Sequence, residues 1–206
     1  MYQNLAWFSH YFMGEDLTLE QTMEKTILYF DQPGKANTDA TLAIARSRAE
    51  QLGIHQVVVA STHGFTAKRA KEIFKGLDVE IIAVPINAAF QEEGWVMRPA
   101  EYDELHSLGI KVLTSIHALG DDVNTAFSSA TPSVIVRETL YTFCQGMKVA
   151  VEVALMAADA GLLDMAKEVI AIAGTSSGAD TAIVLRPAYT RKFKDLQVHE
   201  ILAKPR

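Results

Sequence analysis

The chain has 206 residues, 49% of them hydrophobic and 21% charged, with a formal net charge of −6. This balance fits a folded globular chain, argues against long disorder, and allows one sizeable α/β domain or at most two small ones. The acidic excess, without any Lys/Arg cluster, argues against nucleic-acid binding, and the single cysteine, Cys144, excludes an intrachain disulfide and a thiolate zinc cage.

No stretch reaches the roughly 18 to 20 uninterrupted apolar residues of a membrane span. The first sixteen residues, MYQNLAWFSHYFMGED, lack the basic start and long apolar core of a signal peptide. The expectation is a cytoplasmic protein in a reducing compartment, with neither membrane nor nucleic acid as partner.

Residues 1–22 are rich in aromatics (Tyr2, Trp7, Phe8, Tyr11, Phe12) and precede Met23, a candidate second start. They read as an N-terminal extension, either a packing or partner-binding arm or a consequence of start-site choice. The fold proper is expected over 23–206. Residues 26–30, TILYF, form a strand candidate closed by the turn cluster Asp31-Gln32-Pro33-Gly34. Asn37 or Thr38 then caps a helix whose first turn carries Asp39 and whose end is Gly53.

Val57, Val58 and Val59 mark a strand buried on both faces. A hydroxyl-rich turn follows, Ser61-Thr62-His63-Gly64-Phe65-Thr66, and then AKRAKEIF at helical spacing. The first amides of a helix lack intrahelical partners and carry the positive end of its dipole. Ser61, Thr62 and Thr66 hydroxyls, with Gly64 permitting close approach, make this turn either an anion cradle or an ordinary capped turn.

Residues 79–84 form the next strand, stopped by Pro85; 86–99 is loop-like, 101–108 a short helix and 110–113 a strand. Strands alternating with helices predict a mostly parallel sheet covered on both faces, with ligands collecting at the carboxyl ends of its strands. Pro132 opens the longest helical segment, expected to run to about residue 160. Its stretch VAVEVALMAADAG is small or apolar on all sides, so the helix should be central. Lys148 and Glu152 stand four apart on it, as a surface or structural pair or, if buried, as a functional one. Residues 168–173 and 182–185 are strands joined by Gly174-Thr175-Ser176-Ser177-Gly178-Ala179-Asp180-Thr181. That loop is a second cradle candidate or a tight strand connection. A last strand covers 198–203.

The segment QVVVASTHGFTAKRAKEIFKGLDVEIIAVPIN resembles the carboxy-terminal α/β domain of pyruvate kinase. Ser61, His63, Gly64, Thr66 and Ala67 stand on that family's Thr-x-Ser-Gly-x-Ser/Thr-Ala loop, which holds an effector phosphate in kinases with a sugar-bisphosphate effector. A longer resemblance runs from Met23 onward, through KTILYFDQPGKANTDATL, VVVAS, HALG, QGMKVAVEVALMAADAGLL and EVIAIAGTSSGADTAIVLRPA. It is to the stand-alone pyruvate-kinase-α/β-domain-like proteins of archaea and some bacteria, which are associated with flavin mononucleotide (FMN) and with no established reaction. The resemblance implies a three-layer α/β/α sandwich on a mostly parallel sheet. Ile86 and Asn87 replace a His-His pair common in that family, and His63 replaces a smaller residue. The chain is too short to carry the kinase's catalytic barrel.

The resemblance implies an FMN site. The phosphate would rest on the amides of Gly64, Phe65 and Thr66 with the hydroxyls of Ser61, Thr62 and Thr66 and the imidazole of His63. Asn37 and Thr38 would approach from a neighbouring strand's end. The flat ring would lie against Gly174, Thr175, Ser176, Gly178, Ala179 and Thr181, with Asp180 accepting from the ligand or bracing the loop. His117 would contact the ring or ribityl chain, or serve structurally. Catalytic residues are not identifiable. Ser61 as a nucleophile lacks a persuasive base, since His63 is too close in sequence. His55, His106, His117 and His199 lack metal-ligand spacing. The competing class is a noncatalytic module sensing a phosphorylated metabolite. The apolar arm and central helix make a homodimer the expected assembly.

Overall fold

A computed structural model describes residues 23–120 and 131–206; the aromatic arm of residues 1–22 lies outside the described residues. Seven strands form one sheet in the order β1-β7-β6-β5-β2-β3-β4. They are β1 (Leu28–Phe30), β2 (Gln56–Ala60), β3 (Glu80–Val84), β4 (Lys111–Val112), β5 (Val169–Ala173), β6 (Thr181–Arg186) and β7 (Gln197–Pro205). The β1/β7, β5/β2, β2/β3 and β3/β4 pairs are parallel. Only β6 runs against its neighbours, antiparallel to both β5 and β7. The sheet is therefore mostly parallel, as expected, with one reversed strand.

Helices cover both faces. Helices α1 (Thr38–Leu52), α2 (Phe65–Ile73) and α3 (Pro99–Ser107) pack one side, where Leu42, Ala45, Ala67, Ala70 and Leu105 meet Val57, Val59, Ile81 and Ile170. Helices α4 (Pro132–Tyr141) and α5 (Gln145–Asp159) pack the other, where Ala150, Val151, Ala154 and Leu155 meet Val58, Ile82, Ala171 and Ile183. Successive β2 side chains thus enter opposite cores, which is why an unbroken valine run, rather than an alternating one, specifies this strand.

The single helix expected from Pro132 to about residue 160 is two helices. Chemistry local to residues 142–147 makes the break. The Thr142 hydroxyl donates to the Thr139 carbonyl at 2.6 Å and closes α4. Cys144 is fully extended (φ 175°, ψ 167°), and its Sγ accepts from the Met147 amide at 3.3 Å, capping α5. Side chains that bond nearby backbone compete with helix continuation. Gly146 then brings the start of α5 onto β6: a Cβ there would stand 2.1 Å from Thr181 Oγ1. As expected, α5 is buried nearly all round, from Gly146 to Ala158, except at Val149. No described helix is long and apolar enough to cross a membrane.

Candidate functional site

Because β1, β2, β3, β4 and β5 point the same way, the loops after them gather at one edge of the sheet. A cleft of about 580 Å³ opens at this edge, between the β2–α2 turn and the cleft-facing side of α5. Ser61, Thr62, His63, Phe65 and Thr66 line it, together with His117, Gly174, Ser176 and Gly178. Asn37, Thr38, Gly64, Thr175, Ala179, Asp180 and Thr181 are not among the residues that line it.

The β2–α2 turn divides its labour. Ser61 Oγ accepts from the Ala67 amide at 3.2 Å, and Thr62 Oγ1 from the Ile86 amide at 3.4 Å, so these hydroxyls cap α2 and tie the turn to the loop after β3. Gly64 is left-handed at φ +79°, where a side chain is strained, and a Cβ would stand 3.2 Å from Leu105 Cδ2. The first intrahelical bond runs from the Lys68 amide to the Gly64 carbonyl. The amides of Phe65 and Thr66 have no hydrogen-bond partner among the described residues. They are the unpaired donors at the positive end of a nine-residue helix.

Asp180 organises the second loop. Fully buried, it accepts from the Gly34 amide at 2.8 Å, the Thr175 amide at 3.1 Å and Thr181 Oγ1 at 2.9 Å. Thr38 Oγ1 accepts from the Ala179 amide at 3.0 Å while donating to the Lys35 carbonyl at 2.7 Å. The Asn37 side chain donates to the Gln32 carbonyl at 2.7 Å. Thr38 and Asp180 therefore fasten the loop after β1 to the loop between β5 and β6, while Asn37 ties its own loop and Thr181 braces Asp180. This leaves Ser176, left-handed at φ +63°, on the cleft surface.

The cleft also holds residues that sequence reasoning missed. Phe90 and Trp95 stack at 5.9 Å on the loop after β3, with His117 tilted against Phe90 at 5.9 Å. Tyr141 lines the cleft from the end of α4, and Lys35 Nζ stands 4.0 Å above the Phe65 ring. The only signal for the first pair was two large aromatics in an otherwise loop-like stretch. Lys148 and Glu152, a surface or structural pair on spacing, are buried at 4% side-chain exposure each and line the cleft. Lys148 Nζ donates to Glu152 Oε2 at 2.6 Å, and Glu152 Oε1 accepts from the Leu119 amide at 3.2 Å. Lys148 Nζ also lies 5.7 Å from the Tyr141 ring centre.

His63 Nδ1 stands 3.1 Å from Glu101 Oε2. The Arg98 guanidinium holds the Glu101 carboxyl down to about 2, with His63 adding to the effect. His55, His106 and His199 sit apart: His55 on the Asp78 carbonyl, His106 stacked on Tyr102, and His199 against Glu168. Among the described residues no group of three or more His, Cys, Asp or Glu is placed to hold a metal ion.

Residues 39–185 match the family described as "Pyruvate kinase, alpha/beta domain". The chain belongs to that family. Among solved structures, this pyruvate kinase α/β domain is similar to a pyruvate kinase from Cryptosporidium parvum, at 16% identity and a TM-score of 0.42 over 75% of this chain and 24% of that one. A second structure of Cryptosporidium parvum pyruvate kinase gives 13% and 0.38, over 76% and 24%. The same organism's enzyme in complex with ADP gives 15% and 0.37, over 73% and 23%. The domain spans about a quarter of the length of these kinases.

Proposed function

We propose that the cleft binds a phosphorylated ligand with a flat ring system, FMN in the first instance. The observation that carries this reading is the pair of unpartnered amides on Phe65 and Thr66, two residues that line a cleft which also presents stacked aromatics. The two features suit the two ends of one ligand. A terminal phosphate needs converging N–H donors at a helix start, and a planar ring needs apolar walls. The cleft volume lies within the usual range for small-molecule sites, about 300 to 1,000 Å³. Lys35 adds a cation near the cradle, and Ser176 and Gly178 offer a surface without bulky side chains.

A bound flavin would supply one- or two-electron redox chemistry. The protein's own part is binding and orientation: amides on the phosphate, Phe90, Trp95 and Tyr141 around the ring, and the buried Lys148–Glu152 pair as a fixed dipole in the wall. One observation favours a noncatalytic sensing module as the second reading. Both Glu152 oxygens are engaged, by Lys148 and by the Leu119 amide, so this carboxylate is not presented as a base.

Titration with FMN and with riboflavin, which lacks the phosphate, tests the reading. FMN should bind at least about tenfold tighter, the worth of one charge-assisted hydrogen bond. Equal affinities would remove the cradle from the account. Bleaching of the bound flavin by a reduced nicotinamide would favour an enzyme over a sensor.

A further inference from the structure

His63 borders the cleft beside Phe65 and Thr66, with 47% of its side chain exposed. Its Nδ1 is committed to Glu101 Oε2 at 3.1 Å. Glu101 is itself held by Arg98. The Arg98 amide donates to Oε2 at 2.8 Å, and its Nε and Nη2 donate to Oε1 at 3.0 and 2.5 Å. So gripped, Glu101 is an ionised, acceptor-only carboxylate at neutral pH. It has no proton to share, so the proton of the His63–Glu101 contact belongs to Nδ1. The neutral ring then carries only a lone pair on Nε2, the nitrogen left for a cleft ligand. A second proton turns the same atom into a charged donor.

The other charges around the ring come from three elements. Glu101 and Arg98, at the start of α3, favour and oppose the imidazolium respectively. Lys68 on α2 opposes it but is tied to Glu104 of α3 at 2.9 Å. Lys35, after β1, stands over the Phe65 ring. Glu101 is the group in direct contact.

We infer that Glu101 is a positioning residue that fixes the Nδ1–H tautomer of His63. The cleft's grip on a phosphate monoester is thereby gated by a single proton at His63 Nε2. Neutral His63 presents a lone pair to the anion, and protonated His63 donates to it. The gating rests on the phosphate cradle proposed above, whereas the tautomer does not.

FMN affinity measured from pH 5.5 to 8.5 tests the gating in the wild type, His63→Gln and Glu101→Gln. The ligand's phosphate titrates near pH 6 in all three, so the quantity read is the ratio of variant to wild-type Kd. For His63→Gln the ratio should stay below about twofold at pH 8.5 and rise to about fivefold at pH 6. For Glu101→Gln, which keeps an acceptor for the Arg98 amide, the ratio should depart from one with a different pH dependence from that of His63→Gln, since the carboxylate facing the ring is gone while the imidazole stays. Nitrogen NMR of the free protein at pH 8.5 should show the His63 proton on Nδ1, and partial transfer to Nε2 in Glu101→Gln. A pH-independent ratio for His63→Gln overturns the gating. A neutral wild-type ring protonated on Nε2 overturns the role of Glu101. A wild type with the Nδ1–H tautomer that binds no FMN at any pH overturns the cleft reading, and the gating with it.

Discussion

The buried Lys148–Glu152 pair gives the sharpest stability prediction. Both side chains sit at 4% exposure on a helix otherwise packed by alanine, valine, leucine and methionine. Lys148→Met would leave the Glu152 carboxylate with the Leu119 amide but without its ammonium. Glu152→Leu would leave the ammonium without its carboxylate and the Leu119 amide without its acceptor. Breaking one side of a buried pair costs about 3 to 5 kcal/mol. Replacing both partners removes the orphaned charge, and among the hydrogen bonds of the pair given above the loss is then the Leu119 bond, about 1 to 3 kcal/mol. New apolar contacts should offset much of that, so the double variant should lie within about 2 kcal/mol of wild type. The thermodynamic cycle should then show a coupling of at least about 3 kcal/mol. Urea unfolding followed by circular dichroism would read this. With a slope near 2 kcal/mol/M, each single variant should lose about 1.5 to 2.5 M in midpoint. Single costs below about 1 kcal/mol that simply add would refute the burial of the pair.

Two further outcomes follow from the packing around β6. Gly146→Ala would place a Cβ 2.1 Å from Thr181 Oγ1 and 2.9 Å from Asp180 Oδ1, both buried groups with no room to yield. A cost of about 3 kcal/mol is expected, a fall in Tm of roughly 6 to 12 °C; a Tm within 2 °C of wild type would contradict the contact. Asp180→Ala would strip the acceptor from the Gly34 and Thr175 amides. Hydrogen exchange at both should quicken by at least about tenfold, and unchanged exchange would show that the two loops are fastened by something else.

Much of this fold was legible in the sequence because local signals agreed with one another. The valine run of β2, the helix ended by left-handed Gly53, and Pro85 after β3 each state a local requirement that tertiary packing upheld. The turn after β2 was legible as the entry to a helix for the same reason. What escaped depends on contacts distant in sequence. No periodicity reveals that β6 runs antiparallel. The helix break at Cys144 is fixed partly by Thr181, thirty-seven residues on, whose hydroxyl stands 3.4 Å from the Cys144 sulfur. Asp180 reads from sequence as either ligand contact or brace, and the partners that make it a brace include Gly34, across the chain. The burial of Lys148 and Glu152 is likewise a consequence of where α5 docks, since spacing four apart is shared by surface pairs. Glu101 carried no signal as a partner of His63, because the two meet only when α3 packs beside α2.

The central claim concerns two amides, and they can be watched directly. In nitrogen–proton correlation spectra of the labelled protein, saturating FMN should move the Phe65 and Thr66 amide protons downfield, and riboflavin should leave them nearly in place. Shifts of these two amides that follow the phosphate would uphold the cradle at the start of α2. FMN that binds while both stay fixed, with the shifts falling on another face of the domain, would contradict it.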